Sequence, residues 1–187
     1  MGLKINRTIM MDSRNAATIV FDQVQLGHDS LLGTENEAGS VIEQVLDIAR
    51  IGLSAEMLGS MLEAFERTIT YLKERQQFGV TIGSFQALQH RSAIMFSEIE
   101  LCKSLVLKSL QAIDNNSKKL PLFASMCKAK VNETIQLVSN EGVQLFGGIG
   151  MTDDESIGFF LKRARVAQQT FGDQNFHLDR FARLNGF

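Results

Sequence analysis

Proline occurs once, cysteine twice and tryptophan never in these 187 residues. The single proline, Pro121, leaves few places where a helix must stop, which favours an α protein over an all-β one. Cys102 and Cys127 stand in apolar stretches without CxxC spacing or a nearby histidine. A disulfide framework and a structural zinc site are therefore poor readings, and both cysteines read as small buried hydrophobes. Charge of one sign is also missing: Lys+Arg 19 against Asp+Glu 21 leaves a net charge of -2 with no block of either sign. That argues against a nucleic-acid surface or an acidic tail. No apolar run is long enough to span a bilayer, and residues 1–7 lack the apolar core of a signal peptide. The expectation is one or two domains in a reducing, cytoplasmic setting, with no nucleic-acid partner and no membrane insertion.

What is present is helical periodicity. Between about residues 38 and 74, Leu58, Leu62, Phe65, Ile69 and Leu72 recur at steps of four and three. A second stripe runs Leu88, Met95, Ile99, Cys102, Val106, Leu110, Ile113 and meets the polar breaker Asp114-Asn115-Asn116-Ser117. A third, Met126, Ala129, Ile135, Val138, Gly142 and Leu145, begins after Pro121 and stops at Gly147-Gly148, the expected proline-first, glycine-last asymmetry. Asp153-Asp154-Glu155 precedes a fourth stripe of Ile157, Phe160, Leu161, Ala164 and Ala167. A shorter fifth helix over about 173–185 is expected from Phe176, Leu178 and Phe181. Four long helices with short connections predict an all-α, antiparallel up-and-down four-helix bundle. Residues 16–22 are β-prone, predicting strand material before residue 34 that lies outside the bundle.

The chemistry-bearing residues exclude several site types. His28, His90 and His177 have no glutamate three positions earlier, so the paired Glu-x-x-His signature of a dimetal bundle is absent and all three read as surface or interface residues. No metal site is expected. Gly147-Gly148-Ile149-Gly150 follows a helix and lacks the third glycine of the dinucleotide fingerprint. It reads either as a helix stop or as bare backbone that lets a phosphate approach. Arg75-Gln76-Gln77-Phe78-Gly79 is the other unusual cluster, whose plainest reading is an arginine capping the carbonyls of a helix end.

Taken in order, Asp47-x-x-Arg50, Tyr71-x-x-x-Arg75-x-Gln77-Phe78-Gly79, Phe85-Gln86 and Glu141 through Gly150 resemble the C-terminal half of the acyl-CoA dehydrogenase flavoproteins. The resemblance covers about residues 12–187 and makes residues 1–33 the end of a middle β domain and its linker, and 34–187 the C-terminal helical domain. It implies FAD as cofactor and acyl-CoA as substrate, in a homo-oligomer or a heteromer with a sister subunit. By the same resemblance Arg75 meets the pyrophosphate, a role suited to its planar fork of donors. Gln77 and Phe78 hold the adenosine part, and Phe85 and Gln86 make a second cofactor contact. Gln144, Gly147 and Gly148 pass their backbone close to the cofactor, and Asp47 and Arg50 lie near the acyl-CoA. An Asp and Arg three apart on a helix are equally an ordinary surface pair.

One part of the pattern is missing. The family's usual catalytic glutamate aligns with Gly172, in Phe171-Gly172-Asp173-Gln174, and the alternative position before Arg50 is Ala49. Two readings follow. Asp173, or a nearby acid such as Glu56, serves as a displaced base, although Asp173 is equally an N-cap. Alternatively, the chain is a non-catalytic partner subunit that completes the FAD site of a sister dehydrogenase.

Overall fold

The computed structural model describes residues 2–187. Strands β1 (Gly2–Ile9) and β2 (Asn15–Asp22) form an antiparallel hairpin that pairs Gly2 with Asp22 and Ile9 with Asn15. The β-prone run around Ala16 is thus a strand as expected, and the chain before it supplies the partner. The hairpin leaves Leu3, Ile5, Ile19 and Phe21 exposed. It meets the helices through charge at its turn, where Arg163 bridges Asp12 and Glu56. Burial opposes the Asp12 carboxylate, but hydrogen bonds from Arg163 and the Arg14 backbone outweigh it and hold its pKa below the ordinary value.

The remainder is helical: α1 (Ala38–Glu74), α2 (Gln86–Asp114), α3 (Leu120–Phe146), α4 (Ile157–Gln169) and α5 (Gln174–Leu184). Local chemistry sets the boundaries. Pro121 occupies the first turn of α3, and Gly147 ends that helix at φ 70°, a backbone angle available to glycine without Cβ strain. Asn116, at φ 46°, turns the chain between α2 and α3. Helix α3 is central and touches α1, α2, α4 and α5, so it is buried on most of its surface. Helix α4 has 13 residues, less than half the length of any of the first three, and completes the bundle with a short member.

Two stripes are displaced from expectation. On α1 the buried line is Ile51, Ser54, Met57, Met61, Ala64, Thr68 and Leu72, while Leu58, Leu62, Phe65 and Ile69 are only partly buried beside it. Because α1 packs against both α2 and α3, Ser54, Ala64 and Thr68 alternate with Ile51, Met57, Met61 and Leu72 on the fully buried line, and Leu58, Leu62, Phe65 and Ile69 flank it. On α2 the expected line holds from Met95 to Val106, then Ser109 and Ala112 are buried instead of Leu110 and Ile113. Both cysteines are free and buried. Of the apolar residues outside the stripes, Phe123 packs against Ile51, Leu120 and Ala124, whereas Met151 and Phe159 stay exposed.

Candidate functional site

The residues singled out in the sequence gather at two ends of the bundle, separated by about 40 Å along α1 at 1.5 Å per residue. At the first end α1 stops at Arg75, whose backbone N–H donates to Tyr71 O at 2.8 Å. A two-stranded ribbon follows, β3 (Gln76–Gln77) paired with β4 (Val80–Thr81). Its two connecting residues, Phe78 at φ 55° and Gly79 at φ 80°, both lie in the left-handed region that a type I′ turn requires. Phenylalanine is strained there, and its ring is 91% exposed with only an edge contact to Phe85 at 6.2 Å. The Arg75 guanidinium is exposed and makes no hydrogen bond or ion pair among the described residues, so it does not cap the helix carbonyls.

Gln144, Gly147 and Gly148 reach the same end from α3. The Tyr71 ring stacks on Phe146 at 4.3 Å and 14°, and its hydroxyl donates to Phe146 O at 3.3 Å. That pair joins the end of α1 to the residue preceding Gly147. All three α3 residues are exposed, and a Cβ on either glycine would meet nothing within 4 Å. Gln144, Gly147, Gly148, Met151 and Leu161 line a shallow recess of about 380 Å³. Phe85 and Gln86, at the start of α2, are exposed beside the ribbon. This corner presents an uncommitted guanidinium, the amides of Gln77, Gln86 and Gln144, the rings of Phe78 and Phe85, and bare backbone to the outside.

The second end is a buried polar network. Asp47 and Arg50 are 1% and 3% exposed, so the reading as an ordinary surface pair fails. Arg50 Nη1 donates to Asp47 Oδ1 at 2.7 Å, and Arg180 of α5 holds both Asp47 oxygens at 2.8 and 3.0 Å. Arg50 Nε donates to Phe171 O at 3.2 Å. His177, expected at the surface, is fully buried, and its Nε2 lies 3.1 Å from the same carbonyl. A carbonyl only accepts, so Nε2 carries the proton. Burial first, then the cations of Arg50, Lys128 and Arg180, push the His177 pKa down to about 4. Helix α5 therefore docks through histidine and arginine, while Phe176 and Leu178 remain exposed and Phe181 half-buried.

Asp173 caps α5, accepting from Phe176 N–H at 2.8 Å. It borders a polar recess with Gln136, Arg165, Gln168 and Asn175. Gly172 adopts φ 110°, and a Cβ there would fall 2.4 Å from Phe176 Cδ1 and 2.8 Å from His177 Nε2. The position aligned with the usual glutamate is thus closed to any side chain in this conformation. Glu56 lies elsewhere, engaged by Arg163 and Arg14. Sequence reasoning missed Lys128, Arg180 and the buried state of His177. A lysine one position from Cys127 and Ala129 in an apolar arc is the signal that was available.

The helical fold that carries these corners matches a known architecture. Residues 38–184 fit the family model of the acyl-CoA dehydrogenase C-terminal domain. The chain belongs to that family. It is 30% identical over 165 residues to the rat (Rattus norvegicus) mitochondrial short/branched chain specific acyl-CoA dehydrogenase, covering 88% of this chain and 38% of that one. The acyl-CoA dehydrogenase IpdE2 of Mycolicibacterium smegmatis is 33% identical over 135 residues, covering 72% and 41%. Among solved structures, the FAD complex of PigA superposes with a TM-score of 0.91 at 26% identity, covering 99% of this chain and 49% of that one. The chain thus spans less than half the length of each of these relatives. Among the described residues no helix is long and apolar enough to cross a membrane and no cluster could hold a metal ion.

Proposed function

We propose that this chain is the C-terminal domain of an FAD-dependent acyl-CoA dehydrogenase, acting in the α,β-dehydrogenation of acyl-CoA thioesters within a cytoplasmic oligomer. Residues 1–33 are read as the end of a neighbouring β domain and 34–187 as the helical domain. The observation that carries the reading is the uncommitted Arg75 guanidinium beside the exposed ribbon tip, at the same end of the bundle as the open Gly147-Gly148 backbone.

The residues present fit FAD. Arg75 offers a fork of donors to the pyrophosphate, while Gln77, Phe78, Phe85 and Gln86 offer amides and ring faces to the adenosine part. Gly147 and Gly148 offer bare backbone to the cofactor with open space where a Cβ would stand, and Gln144 lies exposed beside them. All of them face outward, which suits a cofactor shared with a neighbouring subunit. When bound, FAD supplies the hydride acceptor for the substrate β-hydrogen.

The α-proton needs a carboxylate, and Asp173 is the acid beside the Gly172 turn. One of its oxygens caps α5, and the carboxylate borders the polar recess. Asp47 and Arg50 support the turn from beneath through Phe171 O. The rat and Mycolicibacterium smegmatis relatives are named as acyl-CoA dehydrogenases, which favours this reading over a non-catalytic partner subunit.

In the full-length protein, Arg75→Ala should lose FAD on desalting, because charge-assisted bonds of about 1.5–3 kcal/mol disappear. Asp173→Asn should keep FAD and the helix cap yet lose turnover by orders of magnitude. Retained FAD in the first variant would defeat the cofactor assignment. Unchanged turnover in the second would place the base on another chain and revive the partner-subunit reading.

A further inference from the structure

Lys128 is fully buried on α3, and the network described above does not need it for charge balance at Asp47. Its Nζ lies 2.7 Å from Asn132 Oδ1, 2.9 Å from Ala167 O, 3.3 Å from Gln168 O and 3.2 Å from Gly172 O. Three ammonium protons are fully engaged by four acceptors. Ala167 and Gln168 lie in the last turns of α4, where carbonyls lack intrahelical donors and the helix end favours a cation. A lysine that only capped α4 would need nothing more. The fourth acceptor, Gly172 O, belongs to the turn leading into α5, and Asn132 Nδ2 reaches the same two carbonyls, Gln168 O at 3.4 Å and Gly172 O at 3.5 Å.

That turn is unusual. Phe171 at φ 62° and Gly172 at φ 110° are successive positive-φ residues, and such geometry persists only where the surroundings over-determine it. Arg50 and His177 hold the Phe171 carbonyl, and Lys128 holds the next one. We propose that Lys128 is a positioning residue: by tying Gly172 O to the end of α4, its ammonium sets the direction in which Gly172 and Asp173 are presented at the start of α5. The functional consequence rests on the reading that this turn borders the acyl-CoA. The titratable and charged groups facing the ammonium are Asp173 at the cap of α5, His177 from α5, Arg50 from α1 and Cys127 from α3. Burial is the largest influence and, with Arg50 adding, holds its pKa down to about 8.

Amide hydrogen exchange on the whole chain tests this without any acyl-CoA, so its failure is separable from failure of the substrate assignment. Lys128→Met keeps the volume and removes the donors. The N–H groups of Phe176 and His177, bonded to Asp173, should then lose protection by about tenfold more than Val131 and Ile135 in the same variant. A uniform loss across these four amides would make Lys128 a core residue only and overturn the proposal. In the unaltered chain, NMR between about pH 7 and 9 should show the Gly172 and Asp173 amide shifts following the Lys128 Cε titration. Shifts that stay fixed while Cε titrates would overturn it equally, and this measurement stands even if Lys128→Met does not fold.

Discussion

His177 Nε2 lies 2.8 Å from the point that a β-carbon on Gly172 would occupy. The imidazole and the Phe176 ring thus fill the volume that the stem of a side chain at position 172 needs. Glycine is required here both by φ 110° and by space. Gly172→Ala should lower unfolding free energy by about 2–4 kcal/mol, combining left-handed strain with a buried clash. Urea unfolding measures it, and an unchanged midpoint would mean that α5 shifts freely to admit the methyl group. Gly172→Glu should lose at least as much stability and gain no turnover.

Asp47 neutralises two cations at once, since Arg50 and Arg180 both bond to it. Asp47→Asn preserves the shape and removes the charge, leaving two buried or nearly buried guanidinium groups without their main counterion. The expected loss is about 3–5 kcal/mol. Arg180→Ala should cost less than Asp47→Asn, because Arg50 still pairs with Asp47. A smaller effect for Asp47→Asn than for Arg180→Ala would contradict this order.

Histidine 177 makes the fold acid-sensitive. Its folded pKa of about 4 lies below the ordinary 6.5, so between these values the unfolded chain binds more protons than the folded one. Stability therefore rises with pH across that window and falls as acid is added from about pH 6.5 to 4, by up to about 3 kcal/mol. Urea midpoints at about pH 7 and 5 should differ in the unaltered chain and converge in His177→Gln. An identical pH slope in both proteins would remove His177 as the cause.

Phe78 combines strain with exposure. Phe78→Asn places a residue that tolerates the left-handed region in the turn, and should stabilise the isolated chain by about 0.5–1 kcal/mol. In the full-length protein the same variant should hold FAD more weakly, which equilibrium dialysis would register. A variant both more stable and equal in FAD affinity would mean that the ring has no part in the cofactor site.

Local chemistry in the sequence determined where the helices begin and end. Pro121, Asn115-Asn116, Gly147 and the Asp173 cap act through bonds or backbone angles within a few residues, so their effect is readable before any tertiary structure exists. The ordered motifs likewise marked Arg75, Phe78 and Gly147. Tertiary structure decided which faces are buried and which polar groups meet. Arg50 finds Phe171 O across 121 residues and Arg180 finds Asp47 across 133, and no periodicity encodes such distant partners. The same is true of Lys128, His177 and Asp47, polar residues whose types predict exposure. Their burial is tolerated because α1, α3, α4 and α5 together supply the acceptors and countercharges that water would otherwise provide.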